Sequence, residues 1–202
     1  MARYRESTFK QSRRAGAVLD ISPKVAKMRR TVAPGQHGAA RKKTSEYGLQ
    51  LAEKQKVRRT YGMLEKPFRR CYDRAVRKQG VTGTILLQIL ESRLDNVLYR
   101  SGLVTTRPQG RQMIAHGHVL VNGKRVDIAS YQVKAGDMIM VAEKSKAVFK
   151  HLVESNPHHA PLVPHWLEVD ESNMVVKFKS PPEREDIDQS INEALIIEYY
   201  SR

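Results

Sequence analysis

Arginine and lysine are the residues of this chain with the most chemistry to offer. There are 36 of them against 21 Asp and Glu, for a formal net charge of +15, and they are unevenly placed. Residues 1–80 carry a net +16, residues 81–150 a net +5 and residues 151–202 a net −6. A guanidinium forks onto two oxygens of one phosphate, so arginines recurring at three and four residues along a helix point to a polyanion. The clearest group is Arg69, Arg70, Arg74, Arg77 and Lys78, opposed by Asp73 alone, with Phe68, Cys71, Tyr72, Ala75 and Val76 on the other side of the same pattern. Solvated helix faces ordinarily mix signs, and this one does not. Arg3, Arg5, Arg13, Arg14, Lys56, Arg58 and Arg59 extend the basic character, and Arg41-Lys42-Lys43 forms a compact cationic cluster. Tyr4, Tyr47, Tyr61 and Tyr99 lie among these cations as groups that stack or donate hydrogen bonds. The acids Glu183, Glu185, Asp186 and Asp188 have the opposite preference, a basic protein surface.

Other chemistries have little support. Cys71 is the single cysteine, so an internal disulfide is excluded and no CxxC pair is available for zinc. His158, His159 and His165 sit among prolines without a cysteine or carboxylate at ligand spacing, and neither a metal nor a cofactor is expected. No apolar run approaches the length that spans a bilayer, and Met1 is followed at once by Arg3, Arg5 and Lys10 rather than by a signal peptide. A soluble cytoplasmic protein without membrane contact is the expectation.

The elements that position these groups are legible from periodicity and turn residues. Residues 1–45 form a basic extension with too few apolar residues to fold alone, interrupted by the turn-like Pro34-Gly35-Gln36-His37-Gly38. Ser45 caps a helix from Glu46 to about Gly62, and the arginine-rich helix runs from Pro67 to Gln79 with Gly80 beyond it. An apolar helix from Thr84 to about Leu90 is the buried centre of the group. Two short helices follow. Leu94, Val97 and Leu98 mark the apolar edge of the first, with Arg93, Asn96 and Arg100 on a separate polar face, and Gly102 ends it. Thr105 or Thr106 caps the second, which carries Arg107, Arg111 and Gln112 and closes at Gly117. His118 to Val121 then reads as a strand, and Asn122-Gly123 as a hairpin turn leading to Lys124. Gly136-Asp137 precedes a strand from Met138 to Val141, and Lys144 to about Glu154 is a further helix. Trp166–Val169 and Met174–Phe178 alternate like a hairpin. Asn192 to Tyr200 is a last apolar helix, most economically packed back on the N-terminal helices. The expected fold is α+β, with a basic extension at 1–45, a discontinuous helical domain at 46–91 with 189–202, and an α/β domain at 92–188 built from two helices and a small antiparallel sheet.

The order Arg93-Leu94-Asp95, Gly102, Thr106-Arg107, Arg111-Gln112, His116-Gly117-His118, Val121-Asn122-Gly123 and Gly136-Asp137 resembles the RNA-binding module named after small-subunit ribosomal protein S-four, here at about 93–142. With MARYR at Met1, SRR at Ser12, PGQHG at Pro34, FRRCYDRA at Phe68, WLEVD at Trp166 and INEALIIEYYSR at Ile191, nearly the full length resembles the bacterial S-four family in its zinc-free branch. Pro108 and Gly110 stand where that family usually has helix-favouring residues. Glycine costs roughly 1 kcal/mol against alanine inside a helix, so the second module helix is expected to fray at its start and the aim of Arg107 to suffer.

The resemblance implies a primary binder of 16S ribosomal RNA at a five-helix junction that nucleates assembly of the subunit body. It implies an accuracy-related contact with ribosomal protein S-five, a role in accuracy shared with S-twelve, other small-subunit neighbours, and a position at the mRNA entry channel. The RNA contacts it implies are Arg3, Tyr4, Arg5, Arg13, Arg14, Gln36, His37, Tyr47, Lys56, Arg58, Arg59, Arg69, Arg70, Arg74, Arg77, Arg93, Asn96, Arg100, Arg107, Arg111, Gln112, His116, His118, Asn122 and Lys124. Arg41, Lys42 and Lys43 align with the segment facing mRNA, and Glu183, Glu185, Asp186 and Asp188 are the candidates for S-five. Two competitors use the same module. One is a pseudouridine synthase, whose RLD signature Arg93-Leu94-Asp95 resembles, with Asp95 as nucleophile. The other is a free-standing stress protein of stalled ribosomes, for which the long helical N-terminal part is out of place.

Overall fold

Ser45 begins the first long helix: its hydroxyl accepts the Gly48 N–H at 3.2 Å, filling one of the donors that a helix start leaves open. The structure is a computed structural model that describes residues 7–19, 32–40, 43–154 and 163–202. In chain order these hold α1 (Thr8–Ala15), α2 (Glu46–Thr60), α3 (Glu65–Val76), α4 (Thr82–Glu91), α5 (Leu94–Arg100), α6 (Arg107–Ala115), β1 (Val119–Val121), β2 (Lys124–Arg125), β3 (Met138–Val141), α7 (Lys146–Glu154) after a 3₁₀ turn at Glu143–Ser145, β4 (Leu167–Asp170), β5 (Val175–Phe178) and α8 (Glu193–Ser201). The fold is α+β. The chain divides into two compact units, Met1–Leu87 with Asp188–Arg202, and Gln88–Ile187.

In the first unit, α3 starts two residues earlier than proline placement predicts. Pro67 falls at the third helical position, where the missing N–H is still one of the unbonded donors. Phe68, Cys71 and Ala75 turn inward, whereas Val76, expected on the apolar side, is 53% exposed. The inward stripe follows i, i+3, i+7 and leaves position 76 on its flank. The closing helix α8 packs on α2. Asn192 caps it through the Ala194 N–H, Gln50 Nε2 donates to Glu198 at 3.0 Å, and the Tyr200 hydroxyl donates to Glu65 at 2.7 Å. Close approach requires a small residue, since a Cβ on Gly83 would lie 2.6 Å from Glu193 Cγ. The extension contributes α1, a helix that composition had not announced. Its buried Ser12 accepts the Leu19 N–H, and it lies along α2.

In the second unit one antiparallel sheet has the order β2-β1-β3-β5-β4. The Trp166–Phe178 hairpin therefore extends the sheet of the central module instead of standing apart. Val119, Val121, Ile139, Val141, Val176 and Phe178 share its inner face and meet Leu94, Leu98, Ile114, Phe149 and Trp166 in one core. Asn122 (φ +49°) and Gly123 (φ +78°) make the two-residue turn with both residues left-handed, which matches the strand twist. The loop after β2 reaches back to the start of α5, where the carbonyls of Tyr131 and Ala129 accept the Leu94 and Asp95 N–H groups.

Candidate nucleic-acid interface

Arg69, Arg70 and Arg74 on the outward side of α3, and Arg77 and Lys78 just past its end, are all exposed, with Asp73 the one acid among them. The amphipathic register fixes this, because the inward stripe of Phe68, Cys71 and Ala75 leaves the arginines on the opposite arc. The Arg69 guanidinium also sits 5.8 Å from the Tyr200 ring centroid.

The cations of α2 divide differently. Lys54, which the charge pattern did not single out, is 3% exposed, 2.8 Å from Glu65 and 4.5 Å from the Tyr199 ring centroid. Burial raises the Glu65 carboxyl pKa, but the bonds from Lys54 and Tyr200 outweigh it and hold that carboxyl below its ordinary value. Burial, then the bond to Glu65, pushes the Tyr200 hydroxyl upward. Lys56 and Arg58, expected to face RNA, are half-buried and engaged by partners within the chain. Lys56 donates to Glu53 and to the Ser190 carbonyl, while Arg58 holds Gln55 and the Met63 carbonyl. Glu53 and Gln55 lie one turn back on α2 itself, whereas Met63 comes from the turn after α2 and Ser190 from the C-terminal segment, which no local pattern reveals. Arg14, Lys56, Arg58 and Arg59 nevertheless line a groove of about 500 Å³ with Glu53 as its acid and Ala15, Gly48 and Ala52 as small wall residues.

Arg13, also expected on RNA, donates from its guanidinium to the carbonyls of Val32 (2.8 Å) and Ala33 (3.5 Å) at the entry to the Pro34–Gly38 turn. That turn is tight. The Gly38 N–H donates to the Gly35 carbonyl at 3.2 Å, and a Cβ on Gly38 would run into the Ala33 carbonyl. Gln36 and His37 stand exposed on it, and Lys43 and Tyr47 are exposed as well. The Tyr47 ring lies 5.6 Å from that of Tyr199, whose hydrogen bond raises the Tyr47 hydroxyl pKa. Arg3, Tyr4, Arg5, Arg41 and Lys42 lie outside the described residues, as do His158 and His159.

The largest departure is on the module helices. Arg93, Asn96 and Arg107 are 7%, 1% and 9% exposed, so the separate polar face read from sequence points inward. Asp95, at 1%, accepts Arg93 through both oxygens (3.1 and 2.9 Å) and Arg111 Nε at 2.6 Å. Glu91, equally buried, accepts Arg100 at 3.0 and 2.8 Å and the Asn96 amide. Asn96 Oδ1 in turn accepts Arg107 Nε at 2.7 Å, and the Arg107 guanidinium stacks 4.3 Å from the Tyr99 ring centroid. Periodicity separated these residues from the apolar edge correctly, but it does not distinguish a solvated face from one closed by buried carboxylates. Asp95, enclosed by two arginines, is not presented to a substrate as a nucleophile would be. Arg100 and Arg111 keep 28% and 23% of their side-chain surface.

The expected fraying of α6 is also overturned. Thr106 Oγ1 accepts the Gln109 N–H, and Gln109 Oε1 accepts both the N–H and the hydroxyl of Thr105, a reciprocal cap that the Thr106-x-x-Gln109 spacing signals. Gly110 is the close-contact point of the two helices, since a Cβ there would meet the Asp95 carbonyl at 3.1 Å and Val104 Cγ2 at 3.3 Å. Gln112, His116 and Lys124 are exposed. His118 is half-buried with Nδ1 at 2.8 Å from Ser145 Oγ. Asn122, expected on RNA, uses its amide to bridge Asp137 (2.8 Å) and the Met138 N–H (2.9 Å). Glu183, Glu185 and Asp188 are exposed, whereas Asp186 accepts the Glu183 N–H and lies 3.1 Å from His165.

A cationic helical unit and an α/β unit with a hairpin-bearing sheet define a class of polyanion-binding protein. Residues 3–91 match the family described as Ribosomal protein S4/S9 N-terminal domain, and residues 92–139 match the S4 domain. The chain is 53% identical over 210 residues to small ribosomal subunit protein uS4 of Acetivibrio thermocellus. It is 50% identical to those of Ruminiclostridium cellulolyticum, over 208 residues, and Clostridioides difficile, over 210, with 100% of each chain covered in all three comparisons. The chain belongs to the uS4 family of small ribosomal subunit proteins, a structural and non-enzymatic class. The synthase alternative falls with that membership.

Proposed function

We propose that this protein is a primary binder of 16S ribosomal RNA at a multi-helix junction and that its binding nucleates assembly of the subunit body. The observation that carries the reading is the outward face of α3 continued past its C-terminal end, where Arg69, Arg70, Arg74, Arg77 and Lys78 are all exposed and Asp73 is the one acid among them. Folded RNA hides its base edges in a deep groove, so such a surface reads phosphate positions and helix shape. Arg14, Arg59, Arg69, Arg70, Arg74 and Arg77 serve one cationic body. Arg100, Arg111, Gln112, His116, His118 and Lys124 serve the other, with Arg93, Asn96 and Arg107 supporting from beneath. The acids Glu183, Glu185 and Asp188 offer a basic neighbour, S-five, a surface through which decoding accuracy is tuned together with S-twelve. Lys43, with Arg41 and Lys42, faces mRNA at the entry channel.

Titration of junction RNA at a series of salt concentrations tests the reading. Neutralising about six to ten phosphates lowers affinity by about 10³ to 10⁵ between 50 and 200 mM salt. Replacing Arg70 or Arg74 by methionine reduces the log–log slope by about one each. Affinity that barely responds to salt, or equal affinity for unstructured RNA, sinks it.

A further inference from the structure

Two buried carboxylates, Glu91 and Asp95, have no place in a scheme where cations alone meet RNA. Each carries the same arrangement. Asp95 holds one deeply buried arginine, Arg93, and one partly exposed arginine, Arg111. Glu91 holds the buried Asn96, which passes a bond on to Arg107, and one partly exposed arginine, Arg100. Both partly exposed arginines are gripped through Nε, and Arg100 through an Nη as well. A grip through Nε sets the plane of the guanidinium relative to the carboxylate beneath it, so the side chain is not a free rotor. The two carboxylates are buried on ordered backbone: Asp95 lies in the first turn of α5 with its N–H on the Ala129 carbonyl, and Glu91 ends α4.

We infer that Asp95 and Glu91 are positioning residues for RNA recognition, buried acids that aim Arg111 and Arg100 at backbone phosphates of the bound RNA. The inference rests on the proposed RNA-binding function and adds to it a role for negative charge. Simple charge counting gives the opposite sign, because neutralising an acid makes the protein more cationic and strengthens attraction to a polyanion. Aiming gives a loss, because a guanidinium released from its grip samples many rotamers and must be ordered again on binding.

The test is a double-mutant cycle on the full chain, Asp95→Asn, Arg111→Met and the pair, read as affinity for junction RNA between 50 and 200 mM salt with folding monitored by circular dichroism. Asp95→Asn is expected to weaken binding several-fold. The wild-type fall in affinity across that range should exceed the variant's by about threefold, the share of one phosphate contact at a slope of about 0.9. The double variant should match Arg111→Met alone, because the acid acts through that arginine. Glu91→Gln with Arg100→Met repeats the cycle if Asp95→Asn does not fold. Binding by the acid variants that equals or exceeds wild type with the full salt slope overturns the inference, and so do losses that simply add. A wild type without salt-dependent affinity for junction RNA overturns the underlying function as well, and is recognisable because wild type and the arginine variants then behave alike.

Discussion

Replacing Asn122 separates two contributions to the β1–β2 turn that the native residue combines. Its backbone is left-handed at φ +49°, and its side chain joins the Asp137 carboxylate at 2.8 Å and the Met138 N–H at 2.9 Å, clasping the turn to the next strand. Asn122→Ala loses both. A side chain with a Cβ and no local polar partner costs about 1 kcal/mol or more in the left-handed region, and two exposed hydrogen bonds contribute about 0.5–1 kcal/mol each. The expected loss is about 2.5 kcal/mol, or a fall in melting temperature of about 5–10 °C for a chain of this size. Asn122→Gly keeps the backbone conformation and loses the clasp, so it should cost about 1.5 kcal/mol, part of it chain entropy. Urea unfolding of the three proteins followed by circular dichroism measures the series. If alanine and glycine cost the same, the positive φ carries no penalty. If both cost under about 0.5 kcal/mol, the side-chain clasp does not hold the hairpin, and the reasoning from geometry to stability is wrong at this turn.

Other expectations follow from burial and titration. Ile114→Ala empties a fully buried site between α6 and the sheet and should cost about 3 kcal/mol in urea unfolding, whereas Val76→Ala on the exposed flank of α3 should stay within about 0.5 kcal/mol. The Glu65 carboxyl is held below its ordinary 4.5, so its pairing stabilises the fold above that pH and is lost as pH falls through the lowered folded value. Thermal melts from pH 7 to 3 should show the wild-type advantage over Glu65→Gln constant down to about pH 5 and vanishing in acid; an advantage that grows in acid contradicts the assignment. Asp170 accepts Ser172 Oγ at 2.6 Å and two donors of Asn173, and its carboxyl is held at about 2. Its contribution is complete above the ordinary 3.8 and is lost as pH falls through about 2. Carbon-detected NMR titration of its carboxyl checks this, and a midpoint near 3.8 refutes the turn as drawn.

What the sequence determined by itself is local. Ser45, Asn192 and Thr106 start helices because a side-chain oxygen at the first turn meets nearby N–H groups, and Asn122-Gly123 makes a hairpin because both residues accept positive φ. The cationic face of α3 is equally local, a matter of 3.6-residue periodicity. The sharing of charge is not local. How Lys56, Arg107 and Arg111 are engaged depends on where Ser190, Asn96 and Asp95 arrive from elsewhere in the chain, and the pairing of β3 with β5 joins residues more than thirty positions apart. An arginine has the same type and spacing whether it faces phosphate or a buried carboxylate. Only the closed chain buries Glu91 and Asp95 and brings Arg111 of α6 onto Asp95 of α5, and burial in a medium of low polarity then strengthens the bonds that hold Arg93, Arg100 and Arg111.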